Sequence, residues 1–412
     1  MTMSEELTPV AVGKLAGHRE YWRLLPRIGL LYLAFGILFG LVQGGLPPLL
    51  RAQGLDLGRM GWLFLLLLPF GMTFLWAPWV DRWRWPWHEH RTGWILTMQG
   101  LAIIAVVVIG VGEHLPPVAL LAVGLVVAFA AATMDLALDA LVTETTPAHS
   151  RALAGAMKVG ALSIGAMTGG GVFVMLFERL GWQSIFLAVA GLLVLTTLPI
   201  LRWRPTASQG HQSEPSASLL RALAQPMMRR RLLLLSLVSS VLISLFSLNR
   251  VMLIDLGVPL ETVGSVVGLL APLCGLLAAV LAPWMLRQLG TRTSLATFCV
   301  LGMLAVVLLL LGSWQGRYEV ALLGAISINL GVSGLYVVIC AVILGWANSR
   351  QAATDYAALY GISRLIALIV LMTLMQGLTR LGWPVFYGLG LLALPLAVSV
   401  LGRTLREPPD GS

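Results

Sequence analysis

Long runs of apolar residues constrain this chain more than any other feature of its sequence. Each run has about 20 residues, the length that a helix needs to cross a hydrocarbon layer of about 30 Å. Hydrocarbon offers the backbone no hydrogen-bond partner, so each run is expected to be helical. The sequence therefore predicts an all-α membrane protein with twelve transmembrane helices, at residues 28–50, 60–80, 92–112, 116–140, 152–177, 182–201, 232–256, 262–284, 292–312, 319–345, 355–378 and 384–402.

The distribution of charge predicts how these helices are oriented. Only 11% of the residues are charged, against about 25% in soluble domains. If both termini face the cytoplasm, that side receives 19 Lys and Arg residues and the other side receives 5. Cytoplasmic loops carry such an excess of positive charge. The distribution of the net charge of +9 thus predicts that both termini face the cytoplasm, and it does not indicate a nucleic-acid partner.

A polar stretch rich in Ser, Pro and Arg divides the twelve runs into two sets of six. Two short motifs recur, with offsets of 205 and 201 residues: Ala77-Pro78-Trp79 with Arg82 matches Ala282-Pro283-Trp284 with Arg287, and Arg179-Leu180-Gly181-Trp182 matches Arg380-Leu381-Gly382-Trp383. Repetition at one register predicts a duplicated unit. We therefore expect two pseudo-symmetric six-helix halves, with an N-terminal segment at 1–27, halves at 28–201 and 232–402, a linker at 202–231 and a tail at 403–412.

Five of the ionisable side chains within the predicted spans are candidate functional residues: Asp135, Asp139, Lys158, Arg250 and Arg364. Each costs about 2.5–3.5 kcal/mol at a helix centre on insertion scales. Such residues are expected to face a water-filled passage between the halves or to pair with one another. Asp135 and Asp139 lie four residues apart, on one helix face. Repulsion between them favours protonation of one carboxyl and so predicts proton coupling, whereas ion pairing with Lys158 or loop arginines is the alternative.

Aromatic residues accompany the arginines and predict a binding surface. Arg250 follows Asn249 and lies one turn after Phe246, while Tyr356, Tyr360 and Arg364 are spaced by four residues. Rings that stack and guanidinium groups that bind oxygen pairs suit a planar, anionic ligand. The other predicted lining residues are Lys158, Tyr336, Gln43 and Tyr32. Ordinary helix packing around arginines that reach toward the membrane surface is the alternative.

Loop charges predict a gate on the cytoplasmic side. The candidates are Asp81, Arg82, Glu144 and Arg151, and solvated loop charges without a role are the alternative. The six histidines fall outside the predicted spans and the three cysteines form no ligand spacing, so we expect neither a metal site nor a cofactor. The run Gly169-Gly170-Gly171 predicts close helix contact or bending in the fifth span.

The motifs resemble those of a known family. Asp81-Arg82 resembles the loop signature of the major facilitator superfamily, although Ala77 stands where Gly is common and the neighbours are rich in Trp. Asp135-Leu136-Ala137-Leu138-Asp139-Ala140, then Glu144, Pro147 and Arg151, and later Arg179-Leu180-Gly181-Trp182, resemble the muropeptide permease branch. The resemblance is strongest to inner-membrane ferri-siderophore permeases of the RhtX/FptX type.

This resemblance implies a monomeric secondary transporter that works by alternating access. Its expected substrate is an iron–siderophore chelate, with ferri-pyochelin among the candidates, imported into the cytoplasm with protons. The runner-up interpretations are a muropeptide or other amphiphilic-anion permease and a drug-efflux transporter. Outside transport, an integral membrane enzyme with Asp135 and Asp139 as acid and base, or a sensory protein, stays open. The expected partners are a small molecule, protons and the lipid bilayer.

Overall fold

The computed structural model describes residues 26–83, 89–145, 151–201, 225–346 and 352–404. Every regular element within these ranges is helical. Nine continuous helices in them are long and apolar enough to cross a membrane. Three of these nine are each divided in two by a glycine that is not helical, at Gly181, Gly290 and Gly382. The described part of the chain thus holds twelve spans, as the sequence predicts.

The twelve spans are numbered here in chain order. They are α1 Pro26–Ala52, α2 Leu57–Leu75, α3 His90–Val111, α4 Pro117–Thr145, α5 151–180, α6 182–197, α7 Pro226–Asp255, α8 260–289, α9 291–315, α10 Tyr318–Trp346, α11 352–381 and α12 383–404. Their bounds lie within a few residues of the predicted ones. The largest difference is in α7, which begins at Pro226 and so includes the end of the predicted linker at 202–231. The rest of the linker lies outside the described residues.

The glycine that divides α5 from α6 has the same backbone geometry as the one that divides α11 from α12. Gly181 has φ 74° and ψ 176°, and Gly382 has φ 75° and ψ 165°. Side chains other than glycine rarely adopt this region. Both are the third residue of an Arg-Leu-Gly-Trp copy. The repeated motif therefore makes the same reversal before the last helix of each half.

A second pair of turns follows the same internal symmetry. Gly54 ends α1 with φ 89°, and Gly257 ends α7 with φ 82°. In each turn the next residue donates its N–H to the carbonyl five positions back, Leu55 to Leu50 at 2.9 Å and Val258 to Leu253 at 3.0 Å. Such a left-handed glycine is a common helix end. The helices α1 and α7 thus occupy equivalent places in the two halves.

The buried apolar residues form two cores that correspond broadly to α1–α6 and α7–α12. Four helices contribute buried residues to the core of the opposite half. The first turns of α2, including Met60 and Phe64, pack with the second core, as do Val42 of α1 and Ala128 of α4. Leu260 at the start of α8 packs with the first core. These contacts hold the halves together, and α2 supplies most of them.

Glycines allow α1, α5 and α8 to approach one another closely. A Cβ on Gly169 of α5 would lie 2.0 Å from the Ile37 carbonyl oxygen of α1, and one on Gly171 would lie 2.8 Å from the Gly268 backbone of α8. This confirms the predicted close contact at the glycine run. Each of the three helices has a π-helical segment nearby, at Leu41–Gly45, Thr168–Val172 and Val263–Val267. Such segments interrupt the α-helical ladder and occur often at functional sites.

The α1–α5 contact leads to a stability prediction. We expect Gly169→Ala to lower the free energy of unfolding by about 1–3 kcal/mol, because the methyl group has no space beside Ile37. Gly160→Ala in the same helix is the control, since a Cβ on Gly160 would meet no neighbouring atom within 4 Å. Thermal unfolding of both variants in detergent provides the measurement. Equal midpoints for the two variants would contradict the close packing.

Candidate functional site

The predicted charged residues of α4 and α5 form one cluster with Tyr32 of α1. The Lys158 ammonium donates to both Asp139 carboxylate oxygens at 2.5 and 2.6 Å, and it lies 3.4 Å from Asp135 Oδ1. The Tyr32 hydroxyl donates to Asp139 Oδ1 at 2.7 Å, and Lys158 lies 5.1 Å from the centre of the Tyr32 ring. Side-chain exposure is 29% for Lys158 and 48% for Asp139. One cation thus bridges two carboxylates, and all three side chains are only partly buried.

A second cluster, on α10 and α11, joins three other predicted residues. The Arg364 guanidinium donates through Nη1 to the Tyr360 hydroxyl at 3.0 Å, and the Tyr336 hydroxyl donates to the same oxygen. The Nε atom of Arg364 is buried and has no partner among the described residues. The second cluster thus joins α10 and α11 within the second half.

Arg250 binds the protein backbone. Its Nη1 donates to the Gly44 carbonyl of α1 and to the Gly170 carbonyl of α5, both at 2.8 Å. Each carbonyl lies in a π-helical segment. Arg250 lies on α7, so these two hydrogen bonds join the halves.

The remaining predicted lining residues are placed differently. Asn249 is buried and donates to the Phe246 carbonyl of its own helix at 2.8 Å, and Phe246 packs against the second core. Gln43 is half-buried beside Gly44. The Tyr356 side chain lies outside the described residues.

The predicted gate is only partly described. Arg82 is exposed at the end of a short helix, Ala77–Arg82, that follows α2. The side chains of Asp81, Glu144 and Arg151 lie outside the described part of the chain, so the gate at these four residues stays a prediction.

Sequence reasoning missed two ion pairs that join the halves where the α1–α2 and α7–α8 loops lie. Arg51 Nε lies 2.5 Å from Asp255 Oδ1, and the Trp383 indole donates to Asp255 Oδ2 at 2.8 Å. Arg179 Nη2 lies 2.6 Å from Glu261 Oε1. We call these the interhalf ion pairs. Arg51 and Asp255 are 204 residues apart, which is close to the repeat offsets of 201 and 205 residues. This spacing is the sequence feature that could have predicted their pairing.

The interhalf ion pairs and the partly exposed charges lie toward different ends of the helix bundle. The halves are linked at the end of the bundle that carries the interhalf ion pairs, while partly exposed charges lie nearer the α4–α5 loop. Asp139 and Lys158 lie six and seven residues from the ends of α4 and α5 that flank this loop, which is about 10 Å along each helix. An anion or a proton that enters from that side meets Lys158 and Asp139 first.

Comparison with known proteins identifies similar sequences. A family model described as Major Facilitator Superfamily matches residues 28–343. The anhydromuropeptide permease of Escherichia coli strain K12 is 32% identical over 184 residues, which make up 42% of this chain and 37% of that protein. A putative transporter AmpG 4 of Rickettsia conorii is 25% identical over 182 residues, or 42% of this chain and 44% of that protein. The matches span less than half the length of these curated relatives.

Solved structures share the fold. The nucleoside transporter NupG, solved as a point variant, aligns with a TM-score of 0.70 and 14% identity, covering 93% of this chain and all of that one. A bacterial homologue of the human lysosomal transporter Spinster, in an inward-facing and unoccupied conformation, aligns with a TM-score of 0.58 and 17% identity over 92% of this chain and 94% of that one. At these identities the likeness concerns the fold alone.

Proposed function

Because the chain belongs to the Major Facilitator Superfamily and is therefore a secondary transporter, we propose that it carries an amphiphilic anion of the muropeptide class. The main support for this substrate class is the 32% identity to an anhydromuropeptide permease over 184 residues. Muropeptides combine peptide carboxylates with sugar hydroxyls, so they need both cationic and hydrogen-bonding partners. We propose import into the cytoplasm across a bacterial inner membrane.

The charges of the two clusters support an anionic substrate. Together with Arg250 they hold three cations and two carboxylates. Two short contacts pair the positive charge of Lys158 with the negative charge of Asp139. Arg364, in contrast, donates a hydrogen bond to a neutral phenol. A carboxylate would be a stronger partner for a guanidinium than a phenol, because charge-assisted hydrogen bonds are about twice as strong as neutral ones.

The test is uptake by whole cells and by proteoliposomes. Cells that produce the protein and lack their own permeases should accumulate labelled anhydromuropeptide, and a protonophore should abolish the accumulation. Uptake of a panel of ferri-siderophores labelled with radioactive iron tests the other substrate class, which the sequence resemblance favours. Uptake of ferri-siderophore without uptake of muropeptide would replace the proposed substrate by the chelate, and uptake of neither would remove both.

The α4–α5 cluster supports proton coupling. Asp139 accepts from Tyr32 and Lys158, so its protonation would release Lys158 to bind an incoming anion. We expect Asp139→Asn to flatten the dependence of the initial uptake rate on pH, because the amide cannot exchange a proton. Asp56→Asn is the control, since this exposed carboxylate caps the start of α2 outside the cluster. A pH profile for Asp139→Asn identical to that of the unmodified protein would move the proton site elsewhere.

A further inference from the structure

The side chain of Arg250 is the single hydrogen-bonded link, among the described residues, between α7 and the π-helical segments of α1 and α5. One nitrogen, Nη1, donates to both Gly44 and Gly170 at 2.8 Å. Insertion of a side-chain donor into the carbonyl ladder is one cause of local helix distortion. Two distorted helices thus meet at one guanidinium.

The glycines at this point leave space for the guanidinium and for nothing larger than hydrogen. A Cβ on Gly44 would lie 2.4 Å from Arg250 Nη1, and its three nearest neighbouring atoms would all belong to the Arg250 side chain. A Cβ on Gly170 would lie 3.1 Å from the same nitrogen and 3.0 Å from the Gly40 carbonyl oxygen. Alanine at Gly44 would therefore push Nη1 away from the carbonyls. The contact can thus be weakened without changing the arginine.

The other edge of the guanidinium has unused donors. Nε and Nη2 of Arg250 have no acceptor within the described ranges, and the side chain is half-buried. Gln43, in the same π-helical segment as Gly44, is also half-buried, with no hydrogen-bond partner in the described part of the chain. A carboxylate suits this edge, because a guanidinium binds two oxygens with a pair of parallel hydrogen bonds.

We propose that Arg250 couples substrate binding to the separation of the halves. Without substrate, its bonds to Gly44 and Gly170 hold α7 against α1 and α5. A substrate carboxylate that binds the Nε–Nη2 edge pulls the guanidinium toward itself, draws Nη1 away from the two neutral carbonyls and so weakens the link between the halves. The identity of the anion rests on the proposed function, whereas the link that Arg250 makes between the halves does not depend on it.

The test follows the exposure of a buried interface residue. Leu260 of α8 is 5% exposed and packs among the residues of the first half, so Leu260→Cys should react with a membrane-impermeant maleimide only when the halves separate there. Replacing Cys274, Cys299 and Cys340 by alanine removes the native thiols. In this background we expect anhydromuropeptide to raise the labelling rate. Arg250→Lys should lose this response, because an ammonium group cannot donate the pair of parallel hydrogen bonds that a guanidinium donates to a carboxylate.

A second arm tests the link without any substrate. Gly44→Ala, whose added Cβ would have atoms of the Arg250 side chain as its three nearest neighbours, should raise the basal labelling rate at least about fivefold, as expected for a loss of about 1 kcal/mol. Gly160→Ala in open space should leave the rate unchanged. Equal basal rates for these two variants, or a full substrate response in Arg250→Lys, would overturn the proposal. If anhydromuropeptide does not bind, the proposed substrate fails while the basal arm still decides whether Arg250 links the halves.

Discussion

Lys158→Met is expected to lower uptake by about tenfold or more, which corresponds to about 1.4 kcal/mol. The substitution leaves Asp135 and Asp139 on one helix face without the ammonium that lies 2.5 to 3.4 Å from them. Breaking a fully buried pair costs about 3–5 kcal/mol. The cluster is partly exposed, so solvent screening reduces the expected loss of folding free energy to about 1–2 kcal/mol.

A double variant separates the role of charge from the role of shape. Lys158→Met with Asp139→Asn removes one charge of each sign, so the thermal midpoint should recover relative to Lys158→Met alone. Uptake should stay low in the double variant, because neither the cation nor the exchangeable proton is restored. The measurements are thermal unfolding in detergent and initial uptake rates. Normal uptake in Lys158→Met, with protein levels unchanged, would remove this cluster from the transport path.

Cross-linking positions 51 and 255 is expected to stop transport almost completely. Arg51 and Asp255 form one of the interhalf ion pairs, and alternating access requires the halves to separate at that end. A covalent bridge cannot be overcome by a conformational equilibrium of a few kcal/mol. Arg51→Cys combined with Asp255→Cys, in the background without native cysteines, provides the sites for a short bismaleimide.

Each single-cysteine variant treated with the same reagent is the control, because it carries the modification without the bridge. A reducible cross-linker in a parallel sample should allow uptake to return after reduction. Transport by the bridged protein at the rate of the single variants would show that this end of the bundle does not open during the cycle.

The number and bounds of the spans were predictable because the thickness of hydrocarbon fixes the length of an apolar run. The sequence also predicted that the charged residues of α4 and α5 would face water or pair with one another, because a charge inside hydrocarbon costs free energy. It could not decide between proton coupling and ion pairing for Asp135 and Asp139. The structure supplies the pairing with Lys158, and the proton role stays a proposal.

The partners of Arg250 could not be predicted, because they are backbone carbonyls and a carbonyl carries no residue identity. The π-helical segments are equally hidden, since each lies where glycines of α1, α5 and α8 come into close contact. Contacts between distant parts of the chain do not show in local propensity. Arg51, Arg179 and Glu261 lie outside the predicted spans and Asp255 lies at the end of one, so the apolar pattern assigned them no role. Only the separation of Arg51 and Asp255 by about one repeat could have distinguished that pair.

The ion pair of Arg51 and Asp255 has a consequence for which halves can pair at this end of the bundle. Arg51 lies three residues before the turn glycine Gly54, and Asp255 lies two residues before the equivalent Gly257. The positions equivalent to Arg51 and Asp255 are therefore Ile254 and Ala52, which carry no charge. Two copies of the first half would bring only the arginine to this point, and two copies of the second half only the aspartate. The attraction thus selects the pairing of unlike halves.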